Sequence, residues 1–485
     1  MADPRKQLQT QFSKKDRYAN FGPIIAKAII KGFRGIDDLT ISFESPITAI
    51  SGLNGTGKST IAQLMMSAYK KPVTESRDYK RHHLSNYFPV SKADPEPFRP
   101  NASIEYFYAT NQEDRLQELT VKRGNGMKWE GYKRQPERHC RYIGFTIYIP
   151  KVEQRDISIY RGRDISILDE SDLASEAKTA ICKILSSPYS GLTSATAKHD
   201  TRTTDIGFAE KFGSKYSENN MGFGEGRVFY TVRSLESAPK QSLFVIEEPE
   251  TSLHENAQYE FAKYLIDVCL RRNHQIIITT HSKAVLAALA PESRKLLYRD
   301  GKSVRISDRT STAEATGLLS LGNSHELTIL VEDRRAKTLL TEIIRVSKPN
   351  LLKGVKISYV GNDDMVAKIT KQLRSEGIRA KGFRDGDRGP DKANSIYSLP
   401  GSMAPEKEVF LHPSVQAWLL SEHGIDFTDW LAIKGEVDFH DWPELIANEV
   451  LKSEDGLWEH ACATYAKGMD PAICKEVVSS IELNI

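Results

Sequence analysis

The chain is short of cysteine, of long apolar runs and of net charge, and each shortage excludes something. Its five cysteines, Cys140, Cys182, Cys269, Cys462 and Cys474, are odd in number, and no two have Cys-x-x-Cys spacing. That argues against a disulfide framework or a cysteine zinc site and fits a reducing, cytoplasmic compartment. No apolar run approaches the ~20 residues that span a bilayer, so no membrane association is expected. No apolar stretch follows the opening "MADPRKQ", so no signal peptide is expected either. The formal net charge is only +3, from 67 basic and 64 acidic residues. A nucleic-acid partner would therefore need a local basic surface. "KKPVTESRDYKRHH", Lys70 to His83, is a candidate, although a solvated loop is the favoured reading of an isolated charge run. There is no internal repeat.

What is present is ample length and two sets of chemical motifs. A chain of 485 residues exceeds one ordinary core and predicts two to four domains. Residues 24–51 read as strand, turn, strand, strand and run into "GLNGTGKST", residues 52–60. The following segment places Ile61, Leu64, Met65 and Ala68 at helical spacing. A glycine-rich loop between a strand and a helix fits G-x-x-x-x-G-K-[ST] at every fixed position. Its backbone N–H groups can turn toward phosphate oxygens, with Lys58 as a charge for the β and γ phosphates and the Ser59 hydroxyl as a Mg²⁺ ligand. The helix dipole favours the same anion. The candidate nucleotide contacts are Asn54, Gly55, Thr56, Gly57, Lys58, Ser59 and Thr60.

Further along, "LFVIEEPE" is an apolar strand ending in acids. If it lies beside the loop, Glu247 faces Mg²⁺ and Glu248 polarises the attacking water. "IIITTHS" is another buried strand, ending in His281, which is placed to sense a γ-phosphate. "MGFGEGR", Met221 to Arg227, is a glycine-rich turn before a helix, and "ETSLH" follows the acidic strand. Between the loop and these motifs, residues 71–100 read as an insertion. Residues 166–186 look helical, and the Ser, Thr, Gly and Asn-rich stretch 190–220 reads as mobile.

A fresh strand–helix alternation begins after a boundary near residues 310–326: "LTILVE", "RRAKTLLTEIIRV", "VKISYV", "DMVAKITKQLRSEG", "RAKGFRD". It predicts a small parallel sheet with flanking helices. Glu332 ends one strand, and Asp385 and Asp387 follow another. Strand ends of a parallel sheet converge on one edge, so these oxygens can hold one hard cation, Mg²⁺ or Mn²⁺. "DGDRG" is also good turn chemistry, which gives a purely structural alternative. Beyond residue 414 the chain reads as helices, with Trp418, Trp430, Trp442 and Trp458 as packing anchors.

In their order, "GLNGTGKST", "MGFGEGR", "VIEEPETSLH" and "TTHS" resemble the ABC-type ATPase heads of the RecF, SMC and OLD (overcoming lysogenization defect) kind. The resemblance implies Walker A, signature, Walker B, D-loop and switch-histidine roles, with Gly222, Gly224 and Glu225 meeting nucleotide bound by a second subunit. It implies a homodimer or larger even assembly. Glu247 stands where such heads often have Asp, and Gln154 is the candidate Q-loop residue. "ILVED" followed by "FRDGDRG" resembles the Toprim fold, which implies a further acid: Glu408, with Glu406 as runner-up. OLD nucleases usually carry another acid four residues after the first Glu. Here that position is Ala336, with Asp333 the nearest acid. Lys407 and Lys434 are candidates for an assisting lysine.

The expected fold class is α/β: an ATPase domain over residues 1–315 with a variable or helical region about 155–220, a Toprim domain over 325–415 and a helical extension over 416–485. The resemblance implies an ATP- and Mg²⁺-dependent DNA endonuclease acting in anti-phage defence, with DNA and a neighbouring-gene product as partners. The alternative is an SMC- or RecF-like DNA-binding scaffold whose Toprim region does not cut. A transporter ATPase is disfavoured by the missing membrane segments.

Overall fold

The computed structural model describes residues 3–75, 82–124, 128–144, 165–199, 202–319 and 325–482. The chain divides into two compact units, Met1–Thr310 and Ser311–Ile485.

The first unit is mixed α/β. Its central sheet has six strands in the order Ser303–Asp308, Arg294–Asp300, Ile47–Gly52, Gln275–Thr279, Leu243–Glu247 and Cys140–Ile143. All neighbours pair in parallel except the first two, which form a hairpin. "ITAISG" and "QIIIT" are buried at every residue, as expected for parallel strands covered on both faces. A five-stranded antiparallel sheet packs a single face inward. Along Phe98–Ala109, Ala102, Ile104, Tyr106 and Tyr108 alternate into the core. The Tyr106 hydroxyl donates to the Leu64 carbonyl at 2.7 Å and that of Tyr108 to the Ala68 carbonyl, which fixes the sheet against the end of the helix Lys58–Met66 and the turn beyond it.

The region expected to be helical or mobile is largely strand. Ser166–Asp172, Gly191–His199, Arg202–Lys211 and Ser214–Ser217 form a four-stranded antiparallel sheet, and among the described residues helix is limited to Ser175–Ile184 and the short 3-10 turn Glu218–Asn220. Its small core of Ala195, Ala197 and Ile206 explains the misreading. Alanine and threonine strands bury little apolar surface and give a weak alternation. Within the expected insertion, Leu84 and Phe88 are core residues, and Lys70 of the basic stretch pairs with Glu137 at 3.6 Å. Residues 76–81 of that stretch lie outside the described residues, as does Gln154.

The second unit holds four parallel strands in the order Val355–Tyr359, Leu327–Val331, Ala380–Arg384 and Ile396–Ser398. The helices after residue 405 share one continuous core with this sheet. Trp430, Trp442 and Trp458 are buried in it and Trp418 packs against its edge. Lys381, buried on a central strand, donates to the carbonyls of Ser480 and Ile481 at 2.6 and 2.8 Å, capping the last helix. Among the described residues no helix is long and apolar enough to cross a membrane.

Candidate functional site

In the first unit, the central strand Ile47–Gly52 feeds the phosphate loop, and the helix Lys58–Met66 leaves it. Gly52 cannot be replaced without moving backbone. A Cβ there would lie 2.3 Å from the Leu297 carbonyl oxygen on the neighbouring strand. Asn54, Gly55 and Ser59 are exposed. The Ser59 hydroxyl therefore opens outward at the first helical turn, as a Mg²⁺ ligand requires. Thr56 spends its hydroxyl on the Leu53 carbonyl at 2.8 Å, which holds the loop, and Thr60 is buried in the helix that follows. The Lys58 ammonium rests on the carbonyls of Gly52 and Leu53 at 2.8 and 3.1 Å. Burial lowers its pKa, while the charges of Glu248, Glu250 and Glu247 oppose that shift. Lys58 thus lies in the field of three carboxylates.

The acidic strand does not lie directly beside the loop strand. Gln275–Thr279 is inserted between them, paired to both. This corrects the expected adjacency, and it brings Glu247, Glu248 and His281 to the same carboxyl edge as the loop. One carboxylate oxygen of Glu247 is buried without a hydrogen-bond partner. An orphaned carboxylate oxygen at the sheet edge that also carries the phosphate loop fits a Mg²⁺–ATP complex. Glu248 has a left-handed backbone, φ 43°, held by its N–H donating to the carbonyl of Thr279 at 3.0 Å. That conformation costs about 1–3 kcal/mol in a non-glycine residue, and such strain gathers at functional sites. The His281 Nε2 stands 3.7 Å from Glu248 Oε1. Burial, then the Lys58 charge, depresses the imidazole pKa against the pull of Glu248. A neutral ring can both donate and accept.

The signature segment is held to this edge within the same chain. Gly222 caps the helix Phe223–Ser237, is exposed and has open space around it. Gly224 is buried, because a Cβ there would meet the Ser252 carbonyl oxygen at 2.4 Å. Only Gly222 of the two expected glycines therefore opens to a neighbour. Gly224 instead lets the segment after the acidic strand pack close. Glu225 accepts hydrogen bonds from Tyr189 and Tyr216 at 2.5 and 2.7 Å, so its carboxylate serves the adjacent four-stranded sheet. Arg227, unforeseen from the sequence, is buried and donates to the Glu247 carbonyl. Two more residues make contacts that the sequence reading did not foresee. Arg299 donates to the Gly55 carbonyl at 3.0 Å, and Glu250 accepts from His281 N and Thr280 Oγ1. Glu250 opens the "ETSLH" stretch noted in the sequence, but its bonds to this turn were not foreseen.

In the second unit, Glu332 and Asp385 follow neighbouring parallel strands and meet at one edge. The Asp385 backbone N–H donates to Glu332 Oε1 at 2.9 Å. Burial raises the Glu332 pKa, helped by the charges of Asp363, Asp333 and Asp387. Asp385 is pushed up to about 8, by burial first and then by Glu332, Asp333, Glu406 and Asp387. Its Oδ1 is buried without a partner. Asp387 is exposed and acts through its charge, and Asp363, at the start of the next helix, was missed.

Glu408 is not among the charges that raise Asp385, although Gly401 lies between its carboxylate and Gly386. It accepts from Ser402 N at 3.3 Å and packs against Gly401. Glu406, two residues back on the helix Pro405–Phe410, is the acid whose charge reaches Asp385. Two residues apart on a helix point to opposite sides. Glu406 is buried and paired with Arg335 at 2.8 Å. Asp333 caps the helix Arg334–Ser347 through Ala336 N at 2.8 Å, and Ala336 is fully buried. Lys407 lies over the Phe439 ring and Lys434 pairs with Glu449 at 2.6 Å. Among the described residues no three histidine, cysteine or carboxylate groups are gathered closely enough to hold a metal ion. Glu332 and Asp385 fit one cation as a pair, without the third ligand that the sequence suggested.

Two family models match the chain: an AAA domain over residues 27–158 and an AAA ATPase domain over residues 164–286. The first unit carries an ATPase domain. No curated protein matches the chain significantly. Similar solved structures include an SMC head domain from Thermotoga maritima, with 16% identity and a TM-score of 0.35 over 59% of this chain and 98% of that one. Another is an Smc head with an extended coiled coil bound to the C-terminal domain of ScpA, derived from Pyrococcus furiosus. It has 12% identity and a TM-score of 0.37 over 62% of this chain and 99% of that one.

Proposed function

We propose that the chain is an OLD-type enzyme in which ATP hydrolysis by the first unit gates metal-dependent DNA cleavage by a Toprim-like second unit. The ATPase half rests on the convergence of Lys58, Glu247, Glu248 and His281 at one sheet edge. Ser59 and Glu247 hold Mg²⁺, and Lys58 binds the β and γ phosphates. Glu248 orients the water that attacks the γ-phosphorus as the bond to the bridging oxygen breaks, and ADP and phosphate leave. Gly222 meets nucleotide held by a second copy of the chain, so the working form is a dimer or larger even assembly.

The nuclease half rests on a single observation: Asp385 keeps a buried, unpartnered oxygen beside Glu332. A divalent cation bound there supplies the positive charge that activates water and stabilises the leaving oxygen. Glu332 and Asp385 would hold it, with Asp387 and the Arg335-paired Glu406 adding negative charge. The substrate is DNA, and the biological setting is anti-phage defence with a neighbouring-gene partner. Incubating supercoiled and linear DNA with Mg²⁺ or Mn²⁺, with and without ATP, tests this directly. Cleavage that is lost in Asp385→Ala while ATP hydrolysis persists supports it.

A second reading is favoured by the lack of a third grouped acid and by Ala336 at the position of the usual second one. In it the chain is a DNA-binding ATPase scaffold whose second unit does not cut. DNA left intact in both metals, at every ATP concentration, supports that reading.

A further inference from the structure

The acid three residues beyond Glu247 is neither the Mg²⁺ ligand nor the water-orienting carboxylate, yet it is tied into the same edge. Glu250 Oε1 accepts from the backbone N–H of His281 at 2.6 Å and from the hydroxyl of Thr280 at 2.7 Å. The Thr280 oxygen in turn accepts from Ser282 N at 3.0 Å. Thr280 N donates to the Ile50 carbonyl at 3.0 Å, joining this turn to the phosphate-loop strand. A single carboxylate oxygen therefore fixes the turn from Thr280 to Ser282. His281 projects from that turn toward Glu248, 3.7 Å away. Hydrogen bonds at these distances are directional. Without them the turn has only weaker constraints on the direction of the ring.

We infer that Glu250 is a positioning residue for ATP hydrolysis, acting through His281 by holding the Thr280–Ser282 turn. This rests on the ATPase reading above. A residue that acts only through another gives no further loss once that other is gone, because the two effects do not add. A misplacement of about 1 Å at such a site can cost ~100-fold in rate.

The test is steady-state ATP hydrolysis by the full chain with Mg²⁺, in wild type, Glu250→Ala, Glu250→Gln, His281→Ala and the Glu250→Ala/His281→Ala double variant. The expected result is a 10- to 100-fold fall in kcat for Glu250→Ala with the KM for ATP changed less than threefold, as order-of-magnitude figures. The double variant should be no slower than His281→Ala. Glu250→Gln, whose amide oxygen still accepts both hydrogen bonds, should recover most of the loss. Additive losses in the double variant overturn the inference, as does a wild-type rate in Glu250→Ala or in His281→Ala. If Glu250→Ala does not fold, Thr280→Val removes one of the two bonds to Glu250, together with the bond from Ser282 N, at constant shape. It should lower kcat severalfold in wild type and not in His281→Ala, and an unchanged kcat in the wild-type background overturns the inference. Wild-type protein that hydrolyses no ATP overturns the ATPase reading itself, and the inference falls with it. Active wild type with a silent Glu250→Ala overturns the inference alone.

Discussion

Replacing Asp385 by asparagine removes a charge and keeps the shape, so its effect on the stability of the second unit reports what the acidic edge requires. The carboxyl is raised from 3.8 to about 8 in the fold, chiefly by burial and by Glu332. A raised carboxyl helps the fold at low pH. That contribution begins to fade once the unfolded chain can ionise, near pH 4, and is lost as pH rises through about 8. At pH 7 about three pH units separate the unfolded value from the medium, or ~4 kcal/mol at ~1.4 kcal/mol per unit. Asp385 is partly open to solvent, and screening reduces this to roughly 2–4 kcal/mol. Asparagine cannot ionise and escapes the loss. Hydrogen exchange on peptides covering Ala380–Arg384, with chelator at pH 7, should show protection in Asp385→Asn higher by one to about three orders of magnitude. The gap should close toward pH 4. Adding Mg²⁺ or Mn²⁺ should raise protection in wild type and leave Asp385→Asn unchanged. Equal or lower protection in Asp385→Asn at pH 7 refutes the reasoning. It would mean that the carboxylate is already satisfied within the fold and needs no cation.

The ATPase half gives sharper expectations. Glu248→Gln should bind ATP normally and release phosphate at least ~100-fold more slowly, because an amide cannot serve as the carboxylate does, and an unchanged phosphate-release rate refutes its role. Lys58→Ala should weaken ATP binding by ~10-fold or more in calorimetry, through loss of a charge-assisted phosphate contact. Light scattering of the full chain with ATP and Mg²⁺ should show a dimer or larger even assembly, and a strict monomer with and without nucleotide sinks the shared site. Burial lowers the Lys381 pKa from 10.5 to about 8. The stability of the second unit should therefore rise with pH between about 8 and 10.5, by roughly 3 kcal/mol. Lys381→Met should lack that rise in denaturant unfolding followed at both pH values.

The sequence showed most where chemistry is local. A phosphate loop needs glycines, a lysine and a hydroxyl at fixed spacing, and Gly52 to Ser59 supplies them in one string. Parallel strands such as "QIIIT" announce themselves because both faces are covered. What was illegible depends on non-local geometry. The insertion of Gln275–Thr279 between the loop strand and the acidic strand is a matter of sheet order, and no residue pattern states it. The four-stranded sheet over residues 166–217 escaped because its core is alanine and isoleucine behind threonine and serine. Glu406 and Glu408 differ by two positions, and only the direction of a six-residue helix decides which reaches Asp385. Arg227 and Arg299 donate to carbonyls 20 and 244 positions away in the chain.

Each unit holds a buried carboxylate with one oxygen that lacks a hydrogen-bond partner, Glu250 Oε2 and Asp385 Oδ1, and the two differ in what surrounds the rest of the group. Glu250 is pushed up by burial, but donors from Thr280 and His281 oppose the shift and hold one of its oxygens. Its bonded oxygen, Oε1, fixes a turn. Asp385 is pushed up by burial too, yet Glu332, Asp333, Glu406 and Asp387 all add to the shift, and Oδ1 has no donor. Leaving a buried acceptor unsatisfied costs about 1–3 kcal/mol, and more for a charged group. Such a group holds a proton or takes a cation. At neutral pH the protonated acid removes the repulsion without using the site, whereas a divalent ion removes the same repulsion and exploits it. Proton release on adding Mg²⁺ or Mn²⁺ near pH 7, measured in weak buffer, distinguishes the two. Close to one proton per chain that is absent in Asp385→Asn assigns Asp385 to a cation, and no release leaves the second unit a non-cutting partner of the ATPase.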